Sequence, residues 1–588
     1  MFDNGKKVVL LQHSKARIFK EQKMDAAKIP APLPIGNSFF DQVIEDGYYY
    51  VDKTLLIKDL LDRDAKVTLC TRPRRFGKTL NQTMLKTFFE DTTPIGGKDT
   101  RALFRGLNIM RSGERYMEHQ GKYPVIFLSF KDTESECLEI TSQAFKHIIA
   151  REFRRHDYIA ESITKKTELE MFEKLSSGEG EISQYRDSLL FLCECLENFH
   201  GQKTVIIIDE YDVPLQSSWT HGFYDGVVHI VRPLLSCALK DNPHLQFAVI
   251  TGCLRISKES IFTGLNNLDV ISILNECYDD YFGFTQDEMN DMLVYYGLES
   301  KTQIIKDWYN GYLFGKAVVY NPWSAILAIS NWRKNKNKFP EPHWVNTSRN
   351  AIVRDLIDRA DFKTKIELDT LIEGGSISKI IHEDITYDEV FQNPNNLWNF
   401  MFFTGYLKKI TERAENKKKV LELAIPNMEL QYIYETKIQE WFEERIRDKD
   451  LVRFFDAILS GDVMIFQSEL ATLLIESISF MDNAENFYHG FMVGVLSRLN
   501  GYLVKSNRES GHGRSDLVMY SVNGTDDKAV IFELKTAKTV NTLPAACAET
   551  LQQIEKNNYS SYWKKEGYQN IIKYGISFCK KRCLVAKA

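Results

Sequence analysis

The sequence predicts an α/β protein: a parallel sheet with helices on both faces, then a helical lid and connector, then a smaller αβββαβ domain. Three observations carry this. An apolar strand, a Gly-Lys-Thr turn and an amphipathic helix follow one another within residues 65–90. Continuous apolar runs recur at 123–130, 203–215 and 245–251. From residue 484 the pattern becomes one helix, three strands, a helix and a last strand. The expected divisions are a tail over 1–33, a first domain over 34–270, the lid and connector over 271–480, and a C-terminal domain over 481–588.

At 588 residues, with 44% apolar and 12% aromatic residues, the chain can bury several cores. A formal charge of −5 gives no whole-chain attraction to nucleic acid, so such binding has to come from a local patch. The 10 cysteines are scattered without CxxC units. They exclude a disulfide scaffold or zinc ribbon and predict reduced, buried thiols in a cytoplasmic setting. No apolar stretch approaches the ~18 residues of a membrane span, and the VVLL run at 8–11 is too short for a signal sequence.

The lysine-rich tail ends at Pro30, Pro32 and Pro34, which fit neither a helix interior nor a central strand. In YYYVDKTLLIKDLL, Asp52 is placed either to cap the following helix beside packed tyrosines or to contact adenine. Val67, Leu69 and Cys70 then form a strand, and Leu80, Met84, Leu85, Phe88 and Phe89 recur at helical spacing. Between them, a loop leading into a helix N-terminus turns backbone N–H groups toward an anion. Lys78 is placed to reach the β/γ-phosphates of a nucleotide and Thr79 a Mg²⁺ ion. One letter departs from G-x-x-x-x-G-K-[ST]: Arg72 stands at the first glycine, and Pro73, with φ held at about −65°, fixes the entry. A bare Gly-Lys-Thr also marks ordinary helix starts; the strand and helix around it favour the nucleotide.

The strand at 203–215 ends in Asp209 and Glu210, at the carboxyl edge where parallel sheets bind ligands. Asp209 is suited to a Mg²⁺ shell and Glu210 to polarising an attacking water. Thr251, ending the strand 245–251, and Arg255 have the character of γ-phosphate sensors, although a threonine at a strand end can equally bond backbone.

These blocks, VDKT, RPRRFGKT, IIIDEYD and RISKESIFTGLNNL, continue into YFGFTQDE, WYNGY and VYNPWSAI. Over residues 34–326 they resemble the bacterial AAA-ATPase-like family, whose phosphate loop reads RPRRFGKT, so that Arg72 is its usual residue. The resemblance implies a P-loop NTPase using ATP and Mg²⁺. It places Arg74, Arg75, Phe76, Gly77, Lys78, Thr79 and Leu80 around the phosphates, and it implies a small helical lid in which Trp308–Tyr312 and Asn321–Trp323 pack. Residues 327–480 carry helical periods and predict a helical connector, with a winged-helix-like relay as one form; His343 and His382 lack partners at metal-ligand spacing.

In the last domain, Glu485 lies on the helix 484–499 and Gln553 on the helix 541–557. If the NGTDD turn centres between Gly524 and Thr525, Asp516 falls opposite Glu533, and Glu533 and Lys535 share one face. Two carboxylates and a lysine suit Mg²⁺ or Mn²⁺ and phosphodiester cleavage; a cross-strand salt bridge would read the same. Taken with Glu485 and Gln553, the set resembles the PD-(D/E)XK nuclease superfamily, with Ser515 in place of the usual proline. That implies a restriction-endonuclease-like fold with Glu485, Asp516 and Glu533 toward metal and Lys535 toward the reacting phosphate. Lys505, Arg508, His512 and Arg514 fit a phosphate backbone or a solvated turn. The expectation is an ATP-regulated, metal-dependent nuclease in nucleic-acid processing or defence, with DNA ahead of RNA as partner, no membrane, and an oligomer possible. The alternative is a nucleotide-dependent switch or scaffold whose nuclease fold only binds nucleic acid or is structural.

Overall fold

The computed structural model describes residues 29–254, 261–262, 267–344, 362–372, 374–383, 394–434, 451–477, 485–510, 513–522, 527–557 and 559–588. The chain divides into two compact units, 1–341 and 342–588.

In the first unit, β1 (Val67–Thr71), β2 (Val125–Ser129), β3 (Thr204–Asp209), β4 (Leu245–Gly252) and β5 (Leu268–Ile271) form a parallel sheet of order β2-β3-β4-β1-β5. Every residue of β1 and β3 is buried, as strands covered on both faces require. The apolar runs mark the first four strands; β5 is only LDVI, too short to stand out. Because β4 lies between β1 and β3, three strand ends lock together. Arg72 N–H donates to Gly252 O at 3.0 Å and Tyr211 N–H to Thr251 O at 3.0 Å. Helices of this unit include α1 (Leu55–Arg63), α2 (Lys78–Phe89), α3 (Ile182–His200) and α4 (Val213–His221).

Asp52 serves the chain itself. Its Oδ1 accepts from the Thr54 N–H (2.9 Å) and hydroxyl (2.6 Å) before α1, and its Oδ2 from the Asn108 N–H (2.7 Å). The N-cap of α1 is Thr54, without a side-chain cap bond, so Asp52 braces the turn before the helix rather than capping it.

Next come α5 (Gln286–Tyr295), α6 (Thr302–Tyr309), the hairpin β6 (Tyr312–Phe314) and β7 (Ala317–Val319), and α7 (Pro322–Lys334); the three helices share a core of Met289, Leu293, Trp308, Tyr309, Tyr320 and Trp332. Thr285 and Glu288 form a reciprocal capping box at the start of α5, and Asn321 with Pro322 starts α7. The WYNGY and NPW blocks are thus packing and capping elements. Lys53 of VDKT donates to both oxygens of Glu288 (2.6 and 2.7 Å) and to Asp280 O (2.6 Å), tying the segment before α1 to this helical layer.

In the second unit, α8 (Phe362–Ile372), β8 (Ile377–Ile380), α9 (Pro394–Phe403), β9 (Lys408–Glu415) and β10 (Lys418–Ala424) include an antiparallel sheet of order β8-β10-β9. The expected helical connector over 327–480 thus also holds a three-stranded sheet, which the helical periods did not show. Asn416 and Lys417, with φ of 48° and 63°, make the two-residue left-handed turn that a tight hairpin needs. Their neighbours carry too much charge for the strand alternation to be legible. His343 and His382 each donate a backbone N–H, to Glu429 and Asn399 respectively. The helical segments expected at 350–360 and past 434 lie outside the described residues.

Then follow α10 (Val452–Ser460), α11 (Val463–Ser477), α12 (Glu485–Leu496), β11 (Tyr502–Ser510), β12 (Gly513–Ser521), β13 (Lys528–Thr536), α13 (Leu543–Lys556), α14 (Ser560–Lys565), β14 (Asn570–Cys579) and β15 (Arg582–Lys587). The sheet runs β11-β12-β13-β14-β15, with β13 and β14 parallel and the other neighbours antiparallel. The expected αβββαβ order is present, extended by β15. Phe454 and Phe466 of α10 and α11 enter the same core as Phe532 and Tyr574, so this domain's core reaches upstream of residue 481.

Candidate functional site

At the carboxyl edge of the first sheet, the chain leaves β1 through Arg72-Pro73-Arg74-Arg75-Phe76-Gly77 and enters α2 at Lys78. Arg75 (φ 67°) and Gly77 (φ 82°) are left-handed at alternate positions, a geometry that gathers backbone N–H groups into an anion-binding concavity. Asp209, 1% exposed at the end of β3, accepts from the Thr79 hydroxyl (Oδ2, 2.7 Å) and from the Thr251 hydroxyl (Oδ1, 2.6 Å). Burial raises the pKa of Asp209, and the neighbouring Glu210 adds to the shift. Lys78 is buried, with Nζ donating to Arg72 O (3.1 Å), Pro73 O (3.0 Å) and Cys253 Sγ (3.6 Å). Burial works against its charge, but Cys253, Glu210, Asp212 and Asp209 turn the net shift upward.

The structure therefore brings together Lys78, Thr79, Asp209, Glu210 and Thr251. Leu80 follows on α2. Glu210 has φ of 53°, the strained left-handed conformation, at the point where the chain turns out of β3. Arg74 Nη2 donates to Gln216 Oε1 of α4 at 2.8 Å, and the Arg75 guanidinium lies over the Trp323 ring at 5.0 Å. Phe76 is fully buried against Tyr312 and Phe314, so only its backbone faces the loop's anion side. Arg255 lies outside the described residues.

Three residues of this site were not legible as such. Asp212 Oδ2 accepts the backbone N–H groups of Cys253 (2.8 Å) and Leu254 (3.1 Å), pinning the turn after β4. Cys253 lies against the Lys78 amine. Arg72, 0% exposed, sends its guanidinium to the carbonyls of Thr71 (2.8 Å), Ile271 (3.1 Å), Cys277 (3.3 Å) and Tyr278 (3.1 Å), between the rings of Phe282 and Phe314. The second aspartate of DEYD was the available sign for Asp212 and the RPRRFGKT loop for Arg72; for Cys253 the sequence carries none.

In the C-terminal sheet, the pairings Leu517 with Phe532 and Met519 with Val530 continue to put Asp516 opposite Glu533, in the expected register. Leu534 N–H donates to Asp516 Oδ2 (2.8 Å), and Asp516 N–H to Glu533 Oε2 (3.5 Å). Gln553 of α13 bonds Glu533 Oε1, and Lys535 is ion-paired with Glu549 of the same helix. His489 of α12 lies 3.1 Å from Asp516 O, a contact the sequence did not indicate. Burial raises the Asp516 pKa against the opposing pull of the Leu534 N–H and His489. Two adjacent carboxylates, one of them with its charge poorly compensated, fit a hard divalent cation. Among the described residues no group of three or more His, Cys, Asp or Glu side chains meets in a metal-ligating cluster. The side chain of Glu485, the third expected ligand, lies outside those described, as do those of Arg508, His512 and Arg514; Lys505 is exposed beside the Tyr520 ring.

Fold and sites together define a chain that joins an ATPase-like domain to a nuclease-like one. Residues 34–262 match the family model described as a predicted AAA-ATPase, and residues 483–588 match that of the PD-(D/E)XK nuclease superfamily. The chain carries an N-terminal AAA-ATPase-like domain and a C-terminal PD-(D/E)XK nuclease-superfamily domain. It is similar to an "Uncharacterized protein in vnfD 5'region" of Azotobacter chroococcum mcd 1, with 26% identity over 581 residues, covering 93% of this chain and 96% of that protein. The ten cysteines are free thiols, and no described helix is long and apolar enough to cross a membrane.

Proposed function

We propose that the chain binds and hydrolyses ATP at the carboxyl edge of β1, β3 and β4, and that its C-terminal domain is a metal-dependent nuclease governed by nucleotide state, with DNA ahead of RNA as substrate. The observation that carries it is the pairing of Asp516 with Glu533 across β12 and β13, in a chain whose Thr79 and Thr251 hydroxyls both converge on Asp209.

In the first site Lys78 exchanges its carbonyl partners for the β/γ-phosphates, and the Arg75–Gly77 turn presents N–H groups to them. Thr79 and Asp209 would hold Mg²⁺, Thr251 reports on the γ-phosphate through Asp209, and Glu210 takes a proton from the attacking water. Arg255 completes the charge around the leaving phosphate. In the second site Glu485, Asp516 and Glu533 would hold Mg²⁺ or Mn²⁺, Gln553 orients Glu533, and Lys535 orients the nucleophile once released from Glu549. A bound cation supplies a water of lowered pKa and offsets charge on the phosphate.

A second reading is favoured by the Lys535–Glu549 ion pair, which engages the lysine elsewhere: a nucleotide-dependent switch whose nuclease fold binds without cutting. The deciding experiment is cleavage of labelled single- and double-stranded DNA and RNA with Mg²⁺ or Mn²⁺, with and without ATP. The native chain is compared with Asp516→Asn and Lys78→Ala. Cleavage lost in Asp516→Asn and altered in Lys78→Ala supports the nuclease and its control. No cleavage of any substrate, alongside ATP hydrolysis that needs Lys78, favours the switch.

A further inference from the structure

Among the described residues of 362–424 the order is helix, strand, helix, strand, strand, and the three strands close as an antiparallel sheet of order β8-β10-β9. That order is the arrangement of a winged-helix domain, in which the β9–β10 hairpin is the wing. The helix before the wing cannot read a base sequence. α9, PNNLWNFMFF, has no cationic residue, and Leu397, Trp398, Phe400, Met401 and Phe402 are buried. The wing is different: residues 411–419 are all exposed, and the hairpin 408–424 has six lysines and arginines against three glutamates.

Those glutamates are already engaged. Glu412 lies 2.9 Å from Lys409 and 3.5 Å from Lys419, Glu415 lies 3.4 Å from Arg413, and Glu422 accepts from the Ser376 (2.6 Å) and Thr411 (3.0 Å) hydroxyls. Lys417 and Lys418, at the left-handed turn, have no ion-pair partner among the described residues. A two-stranded ribbon fixes the backbone that carries these cations, so less backbone freedom is lost on binding than for a loop.

We propose that this wing is a sequence-independent nucleic-acid contact, gripping the phosphate backbone through Lys417, Lys418 and Lys419. It deepens the nuclease reading, on which its biological role rests, by adding a binding element outside the candidate nuclease site. Lysines that contact only phosphate contribute affinity that falls steeply with salt, at a slope of about 0.9 per phosphate neutralised on duplex DNA.

The test is anisotropy of a short fluorescein-labelled DNA duplex with the full chain carrying Asp516→Asn, so that binding is read without cleavage. Lys417→Glu with Lys418→Glu is expected to weaken binding at least about tenfold and to flatten the salt dependence by about two phosphates. Lys417→Arg with Lys418→Arg is expected to preserve both. Unchanged affinity and slope in the Glu variant would overturn the proposal, as would polyglutamate competing as well as unlabelled duplex, which would make the wing a general polyanion contact. The two readings fail separately. Cleavage that survives Asp516→Asn removes the nuclease reading and leaves a wing effect standing, whereas cleavage dependent on Asp516 with binding indifferent to the wing variants removes only the wing.

Discussion

Arg72 donates from its guanidinium to the carbonyl of Tyr278 at 3.1 Å, while its own carbonyl accepts from Lys78 Nζ at 3.1 Å. One residue therefore joins the phosphate-type loop to the segment leading into the helical layer. A lysine there would keep the charge without the fork that spans Ile271 and the Cys277–Tyr278 carbonyls together. Arg72→Lys and Arg72→Gly are expected to destabilise the chain by about 3 kcal/mol, from buried carbonyls losing a charged donor. Urea unfolding checks this. Although Arg72→Gly completes the usual glycine pattern, the KM for ATP is expected to rise rather than fall.

Glu210 combines a positive φ with a position beside Asp209 and Lys78. A non-glycine residue there costs about 1–2 kcal/mol, a strain the fold retains. Glu210→Gly is expected to raise the thermal midpoint while abolishing phosphate release. Glu210→Gln is expected to keep ATP binding and slow hydrolysis at least about 100-fold. A Gln variant that hydrolyses at the native rate would remove Glu210 from the catalytic role.

What the sequence reveals follows from how local each cause is. The Gly77-Lys78-Thr79 turn and the Asp209-Glu210 strand end are written in a few consecutive residues, and the Asp516–Glu533 register follows from one turn centre. Arg72 was legible as the usual residue of the RPRRFGKT loop, but not what its side chain does, because its partners, Ile271, Cys277 and Tyr278, lie about 200 residues away in the chain. A winged-helix-like form was one expectation here, but the strands of the hairpin were masked by charge, since Lys418, Lys419 and Glu422 interrupt the apolar Val420, Leu421 and Leu423. The contact of His489 with Asp516 depends on how α12 lies on the sheet, which spacing along the chain does not encode.

His200, ending α3, contacts the Tyr158 hydroxyl at 2.8 Å and lies 3.8 Å from Asp91. Burial lowers its pKa from the ordinary 6.5, Asp91 opposing and His156 assisting. With the folded value depressed, the unfolded chain takes up the proton first. This contribution to stability is present above pH 6.5 and is lost as pH falls through the folded value. The thermal midpoint is expected to drop across that window, and His200→Gln, which cannot titrate, is expected to flatten the drop. An identical profile in the variant would assign the acid sensitivity elsewhere.

Gly575 of β14 pairs with Glu533, and a Cβ there would clash with Thr550 Oγ1 and lie 2.9 Å from Leu551 Cδ2 on α13. The bare backbone lets α13 lie close against the sheet, and α13 carries both Gln553, bonded to Glu533, and Glu549, paired with Lys535. Gly575→Ala is expected to push the helix outward, to cost about 1–3 kcal/mol from overpacking, and to weaken the Gln553–Glu533 contact. Thr550→Ala removes the nearest clashing atom, so the double variant is expected to recover part of the urea midpoint lost in Gly575→Ala. If the double variant is no more stable than Gly575→Ala, Leu551 rather than Thr550 sets the helix height. If Gly575→Ala alone leaves the midpoint and Mn²⁺-dependent cleavage unchanged, close approach of α13 is not what holds Glu533 in place.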